Sequence, residues 1–239
     1  MARSTRRTVL AVIVLVLGFL PAGRIKNVLL NLAGHSIARS ARVHPVILWR
    51  VRSLVMGEKA YIGPGNAFRE LARVEIGDES EIGQFNWFSA AASYTSEREN
   101  ELAAKFVMEE RTGVTSRHYI DCSGGVKICR LGMLGGVRTT ILSHSTESRQ
   151  WVVRGKPVVI GEATLVLSSV LINPGITISE HNVIAGGAVV VRDLDEPGRL
   201  YGGVPAKVIG DVSEGEHITR ETMRHVPRET ARSLLRERR

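Results

Sequence analysis

The amino-acid sequence predicts an all-β chain wound as a parallel β-helix of hexapeptide repeats. Three observations carry this. The first is a rhythm: Ile160, Val166, Ile172, Ile178, Ile184 and Val190 place an aliphatic residue at every sixth position without a slip. Six is a multiple of the strand period of two, so each of these residues can point inward from a short strand whose turn takes up the remaining positions. The second lies two residues before each of them. Val158, Thr164, Val170, Ile176, Asn182 and Ala188 are mostly apolar or small and suit a narrow interior. The third is negative. No helical segment of about 10 to 15 residues separates the strands, which excludes a doubly wound sheet. With 44% hydrophobic but 5% aromatic residues, the composition fits an interior of Ile, Val and Ala, and 239 residues suffice for one solid domain.

From the N-terminus, residues 1–59 read as a basic, hydrophobic, helical leader that anchors the protein to a membrane. The apolar run Thr8 to Ala22 has about fifteen residues, fewer than the ~20 of a spanning helix. Arg3, Arg6 and Arg7 precede it and Arg24 and Lys26 follow, which leaves its orientation open. Ile25, Val28, Leu29 and Leu32 then recur at helical spacing, as in an interfacial amphipathic segment. A cleaved signal peptide and a leader helix packed on the repeat domain are the alternatives. Residues 60–210 form the repeat domain, where Ile62-Gly63, Ile76-Gly77, Ile82-Gly83, Ile128-Cys129 and Leu134-Gly135 keep the phase in shorter runs. Residues 93 to 112 break it, as a loop extension would. The tail, 211–239, carries seven Arg and six acids and reads as a short charged helix, interrupted by Pro227, that caps the open end of the coil.

Charge is unevenly distributed. Residues 1–60 hold ten Lys or Arg against one acid, Glu58, while the other 22 bases meet 23 acids. A nucleic-acid partner is not expected, because its binder would spread cations and aromatics over the folded surface. Cys122 and Cys129 lack a CxxC or a matching His pair, so they read as reduced thiols, and no metal is expected.

The hexads IGDESE and IGQFNW, the run INPGITISEHNVIAGGAVVVRD and the closing GGVPAKVI resemble the left-handed β-helix (hexapeptide-repeat) acyltransferases, over roughly residues 60 to 210. Within that group, HYIDCSGGVKICRLGMLGGVRTTILSHS is most similar to sugar or polysaccharide O-acetyltransferases. The resemblance implies a left-handed triangular prism, an exception to the right-handed crossover rule. It also implies acetyl-CoA as co-substrate and a homotrimer with sites between neighbouring prisms. Acetyl-CoA is a cytoplasmic metabolite, so the expected location is a membrane, with the catalytic domain on its cytoplasmic side. The chain departs from the family pattern at Leu167, Asn173, Ser179 and Ala185, where Gly is usual, and at Leu165, where Trp is frequent.

Transfer from a thioester to a hydroxyl needs a base, and imidazole suits neutral pH. Of seven histidines, His35 and His44 lie in the leader, His217 and His225 in the tail, and His181 at a hexad turn. His144, in ILSHSTES, sits where the rhythm stops, and its surroundings match the family's SHS-like motif, which selects it as base. His118 is the runner-up, with Asp121 close enough in sequence to orient it. Alternatively, His118 and Asp121 line an acceptor pocket, with Trp87 as a stacking platform. Gly135, Gly136 and Ser143 are oxyanion candidates by position alone. The absence of GxSxG favours direct transfer over an acyl-enzyme. The resemblance further implies donor contacts at Ser168, Gly186 and Gly187, with Arg192 and Lys207 meeting phosphates. The alternatives are an amino-sugar or small-xenobiotic acceptor and a non-catalytic scaffold. A γ-type carbonic anhydrase would need three histidines converging on zinc.

Overall fold

One turn of the coil takes three hexads in its C-terminal half, and this is the origin of the six-residue rhythm. In the computed structural model, which describes residues 2–91 and 100–215, Ile160 pairs with Ile178, Val166 with Ile184 and Ile172 with Val190. Successive aliphatic residues therefore fall on three successive faces, and every third one returns to the same face.

Each face is a parallel sheet of short strands stacked along the coil. The first face runs from Ser36–Ile37 to Thr177–Ile178, and the third from Ile47–Trp49 to Val189–Val190. The second begins at Arg42–Val43 and ends with Arg199–Gly202, against which Lys207–Asp211 folds back antiparallel. That returning strand covers the edge of the last coil. Inward residues line up in register, as in Ile76, Met108, Ile128 and Ile160 on the first face. On the third, Phe68 stacks on Phe88 with ring centroids 4.6 Å apart. Alternation along each strand then turns the neighbours of Phe88 and Ile120 outward.

The chain enters the coil at Ser36, so residues 36–59, expected in the leader, already form coil. The reason they escape the rhythm is arithmetic. Ile37 pairs with Met56 and Val43 with Ile62, one position beyond three hexads, and Leu54 pairs with Val74 and Ile62 with Ile82, two positions beyond, with corner residues such as Arg50, Lys59, Glu70 and Glu79 in left-handed backbone conformations. The segment 93–112 likewise rejoins the coil as strand Lys105–Met108. Residues 92–99, and 216–239 where the charged C-terminal helix was expected, lie outside the described residues.

What remains of the leader is two helices, α1 (Ala2–Gly18) and α2 (Arg24–Leu32), closing the N-terminal end of the coil. Val14, 3% exposed, and Leu30 join the coil's core, and Val46 N–H donates to the Gly18 carbonyl at 2.9 Å. A side chain at Gly18 would meet the Val46 oxygen at 2.6 Å, so glycine permits this contact. The buried Lys26 ammonium donates to the carbonyls of Gly18, Leu20 and His44, tying α1, the interhelix turn and the first coil together. Burial pulls its pKa down to about 8. Among the described residues, no helix is long and apolar enough to cross a membrane.

Candidate active site

At the edge between the third and first faces, three consecutive coils are interrupted in different ways. After Trp87–Ser89 the chain passes through the segment containing 92–99; after Tyr119–Asp121 it makes a tight Ser123-Gly124-Gly125 turn; after Thr140–Ile141 it leaves as a hairpin, His144–Glu147 against Val152–Gly155. His144 is the first residue of that hairpin. Trp151, near its tip, is 84% exposed.

Asp121 points outward, because Ile120 points in, yet it is only 4% exposed. The base of the hairpin covers it. Its Oδ1 accepts from Ser123 N–H and O–H at 3.1 and 2.6 Å, and its Oδ2 from Ser143 N–H and O–H at 2.8 and 3.1 Å. His144 Nδ1 stands 2.6 Å from the same Oδ2. Burial alone would raise the Asp121 carboxyl, but these hydrogen bonds outweigh it and hold the group below its ordinary range as a carboxylate. A carboxylate facing Nδ1 selects the tautomer with hydrogen on Nδ1 and the lone pair on Nε2. Gly124 makes the approach possible, since a Cβ there would lie 2.2 Å from the Ser143 oxygen.

His118 is elsewhere. It is 2% exposed at the corner between the second and third faces, where Nδ1 accepts from Thr139 N–H at 3.1 Å and Nε2 lies 3.0 Å from Thr115 Oγ1. Burial pulls its pKa to about 4, so it is a neutral part of the corner and out of a substrate's reach. Asp121 thus orients His144, not His118, and neither Asp121 nor His118 lines an open pocket. Ser143 is fully buried, its hydroxyl also accepting from Gly124 N–H, which removes it as an oxyanion donor. Gly135 and Gly136 lie at the far edge of the third face and are removed from His144 in the same chain. Ser123 was missed by sequence reasoning; the only signal was its place in the SGG turn. Trp87 lies on the outer third face, in register with Tyr119 one coil later and with Arg69 Cζ 5.4 Å from its ring centroid.

The predicted donor residues divide between two edges. Ser168, Gly186 and Gly187 follow second-face strands and stack at the edge between the second and third faces, where Gly187 N–H donates to the Ser168 carbonyl at 3.0 Å. Lys207 begins the last strand of the second face, beside Gly202. Only Arg192 follows a third-face strand, at the same edge as His144 and two coils further along. Burial raises both Cys122 and Cys129 thiols above their ordinary value, which suits neither to nucleophilic work. Among the described residues no cluster of three or more His, Cys, Asp or Glu could hold a metal.

These features define a class, a hexapeptide-repeat coil with a histidine and carboxylate paired at one edge. Part of the chain is similar in sequence to acetyltransferases, and its fold is that of hexapeptide-repeat acyltransferases. It is 38% identical over 58 residues to the galactoside O-acetyltransferase of Escherichia coli (strain K12), a match covering 24% of this chain and 28% of that protein. The chain thus spans less than a third of the length of the curated relatives it matches. Among solved structures, a mutant of AntD, an N-acyltransferase from Bacillus cereus in complex with dTDP and coenzyme A, superposes with a TM-score of 0.55 at 15% identity, covering 78% of this chain and 92% of that one. At that identity the likeness is one of fold. A hexapeptide-repeat acetyltransferase of Vibrio cholerae complexed with acetyl coenzyme A has 23% identity and a TM-score of 0.46, over 58% of this chain and 70% of that one. No family model matches the chain.

Proposed function

We propose that the protein is an acetyl-CoA-dependent O-acetyltransferase that moves an acetyl group onto a hydroxyl of a sugar or polysaccharide unit, with His144 as general base. One observation carries this reading: the 2.6 Å approach of His144 Nδ1 to a buried, fully hydrogen-bonded carboxylate at the foot of an excursion from the coil. Such a pair orients the ring and stabilises the imidazolium that forms when Nε2 takes the acceptor's proton. The hydroxyl oxygen then bonds to the acetyl carbonyl carbon, the carbon–sulfur bond breaks, and the proton on Nε2 passes to the departing thiolate.

The reading includes a left-handed coil and a homotrimer. Ser168, Gly187 and Lys207 stand at one edge of the third face and His144 with Arg192 at the other, so a second copy is needed to bring both groups to one groove. A Cβ at Gly187 would meet nothing within 4 Å, which suits close passage of a pantetheine arm. Arg192 and Lys207 are exposed cations able to meet its phosphates. The reading also sets the acceptor at a membrane, on the cytoplasmic side where acetyl-CoA is made, and the apolar leader helices support it.

The experiment is release of CoA from acetyl-CoA by the purified protein, with and without an envelope-sugar extract, for wild type and His144→Ala. Acceptor-dependent release that falls about 10²-fold or more in the variant is expected. Release unchanged in the variant assigns the base elsewhere, and no release with any extract favours a scaffold. An acceptor panel including amino sugars separates transfer to oxygen from transfer to nitrogen.

A further inference from the structure

The outward side of the two leader helices has no partner among the described residues. On α1, Val9, Leu10, Val12, Ile13 and Val16 are exposed, as is Phe19 just beyond its end, and on α2, Ile25, Val28 and Leu32 are exposed at spacings of three and four residues. Leu32 is 81% exposed and Ile25 78%. The opposite side is committed to the coil through Val14, Leu30 and Lys26, so α1 cannot leave that seat to cross a bilayer without uncovering the coil's end.

The surrounding charge says what covers the apolar side. From Met1 to Gly57 the chain contains no Asp or Glu. The first coil exposes Arg39, Arg42, Arg50 and Arg52, and Arg24 opens α2. Of these, only Arg50 forms an ion pair among the described residues, with Glu70 at 3.2 Å. A second copy brought against this end would set arginines against arginines. A phosphate-bearing surface supplies both the apolar layer and the counter-charge.

We propose that α1 and α2 form a monotopic seat that rests the N-terminal end of the coil on an anionic lipid bilayer, with both helices lying in the interface. This deepens the membrane reading given above and rests on it, while standing apart from the chemistry. Asp121 and the hairpin that begins with His144 lie three to four strands up the third face, about 14 to 19 Å away at strand spacing, so the two sites can be altered separately.

The test is sedimentation of the full-length protein with vesicles of phosphatidylcholine alone or with about one third phosphatidylglycerol. Binding to the anionic vesicles is expected, weakened by salt and reduced at least about tenfold in the triple variant Val12→Glu, Val16→Glu, Phe19→Glu. A second variant, Phe19→Trp, guards against misfolding of the first. Its added emission should shift to the blue on anionic vesicles and be quenched by lipids brominated on their acyl chains. Wild type that stays in solution with anionic vesicles, or Phe19→Trp emission that does not respond to them, overturns the proposal. So does a triple variant with unchanged vesicle binding but reduced oligomeric mass, which would give this face to a second copy. CoA release is read in parallel: vesicle binding without it keeps the seat and removes the acyl-transfer reading, and release without binding does the reverse.

Discussion

Replacing Asp121 by Asn removes one charge and keeps the shape, and the site makes the consequence calculable. Asp121 receives only donors: two from Ser123, two from Ser143 and Nδ1–H of His144. An asparagine must present an NH2 to one of them. If His144 takes the proton as base, the opposite charges of its imidazolium and Asp121, centred about 4 Å apart, attract by about 4 kcal/mol at an effective dielectric of about 20, about a thousandfold in rate. The imidazole is 35% exposed, so water screens part of this, and a fall in kcat of about 10²-fold is expected with KM for acetyl-CoA nearly unchanged. The assay is acceptor-dependent CoA release, run well below the melting temperature of the variant. His144→Ala should be at least as slow, and the double variant no slower than His144→Ala, because Asp121 acts through the ring. An Asp121→Asn enzyme retaining more than about a third of wild-type kcat would refute the electrostatic role. Additive losses in the double variant would show that Asp121 acts by another route.

Two further predictions concern stability. His118 stays neutral in the folded protein down to a pKa of about 4, against 6.5 ordinarily, so the unfolded chain binds the extra proton as pH falls between those values. Its contribution is fully present above 6.5 and about 3 kcal/mol is lost by pH 4, with His35, whose pKa burial also lowers, adding in the same direction. Urea midpoints measured across that range should decline less steeply for His118→Asn than for wild type. For Lys26→Met, three carbonyls lose their shared buried donor while the cost of burying the ammonium disappears, for a net loss of about 3 kcal/mol. Urea unfolding and early proteolytic release of α1 would report it; an unchanged midpoint would mean that the two effects cancel.

The rhythm of the last repeats was legible because each of their turns holds three whole hexads, so one spacing serves all three faces. Earlier turns hold the same faces with longer corners. Tyr61 pairs with Glu81, two positions beyond three hexads, and the corner residue Lys59 takes a left-handed conformation with φ of 58°. These left-handed corner positions are held by Lys59, Glu70 and Glu79 and not by glycine, so residue type does not mark them. This is why residues 36–59 looked like leader while packing as coil. The helical character of the leader was legible from its apolar run, but its docking was not, because the contacts through Lys26 are made to backbone carbonyls, which no residue type marks.

The site was legible in its residue types and not in its partnerships. Asp121 lies three residues from His118 and 23 from His144, so proximity in sequence favours the wrong histidine. Stacking reverses the choice. Tyr119 lies beside Thr140 in the next coil, which carries the strand end of each coil to the same edge and sets Asp121 under the residues that follow Ile141. His118 precedes its strand and falls at the opposite edge, turned into the corner by Thr139 and Thr115. The same geometry separates Ser168 and Gly187 from His144 by the width of one face. No rearrangement within a rigid coil closes that distance, whereas a second copy presenting its opposite edge would. If Ser168 and Gly187 hold the donor and His144 is the base, transfer takes place between copies, and mixed oligomers of His144→Ala with a variant disabled at Gly187 should regain activity that neither variant has alone.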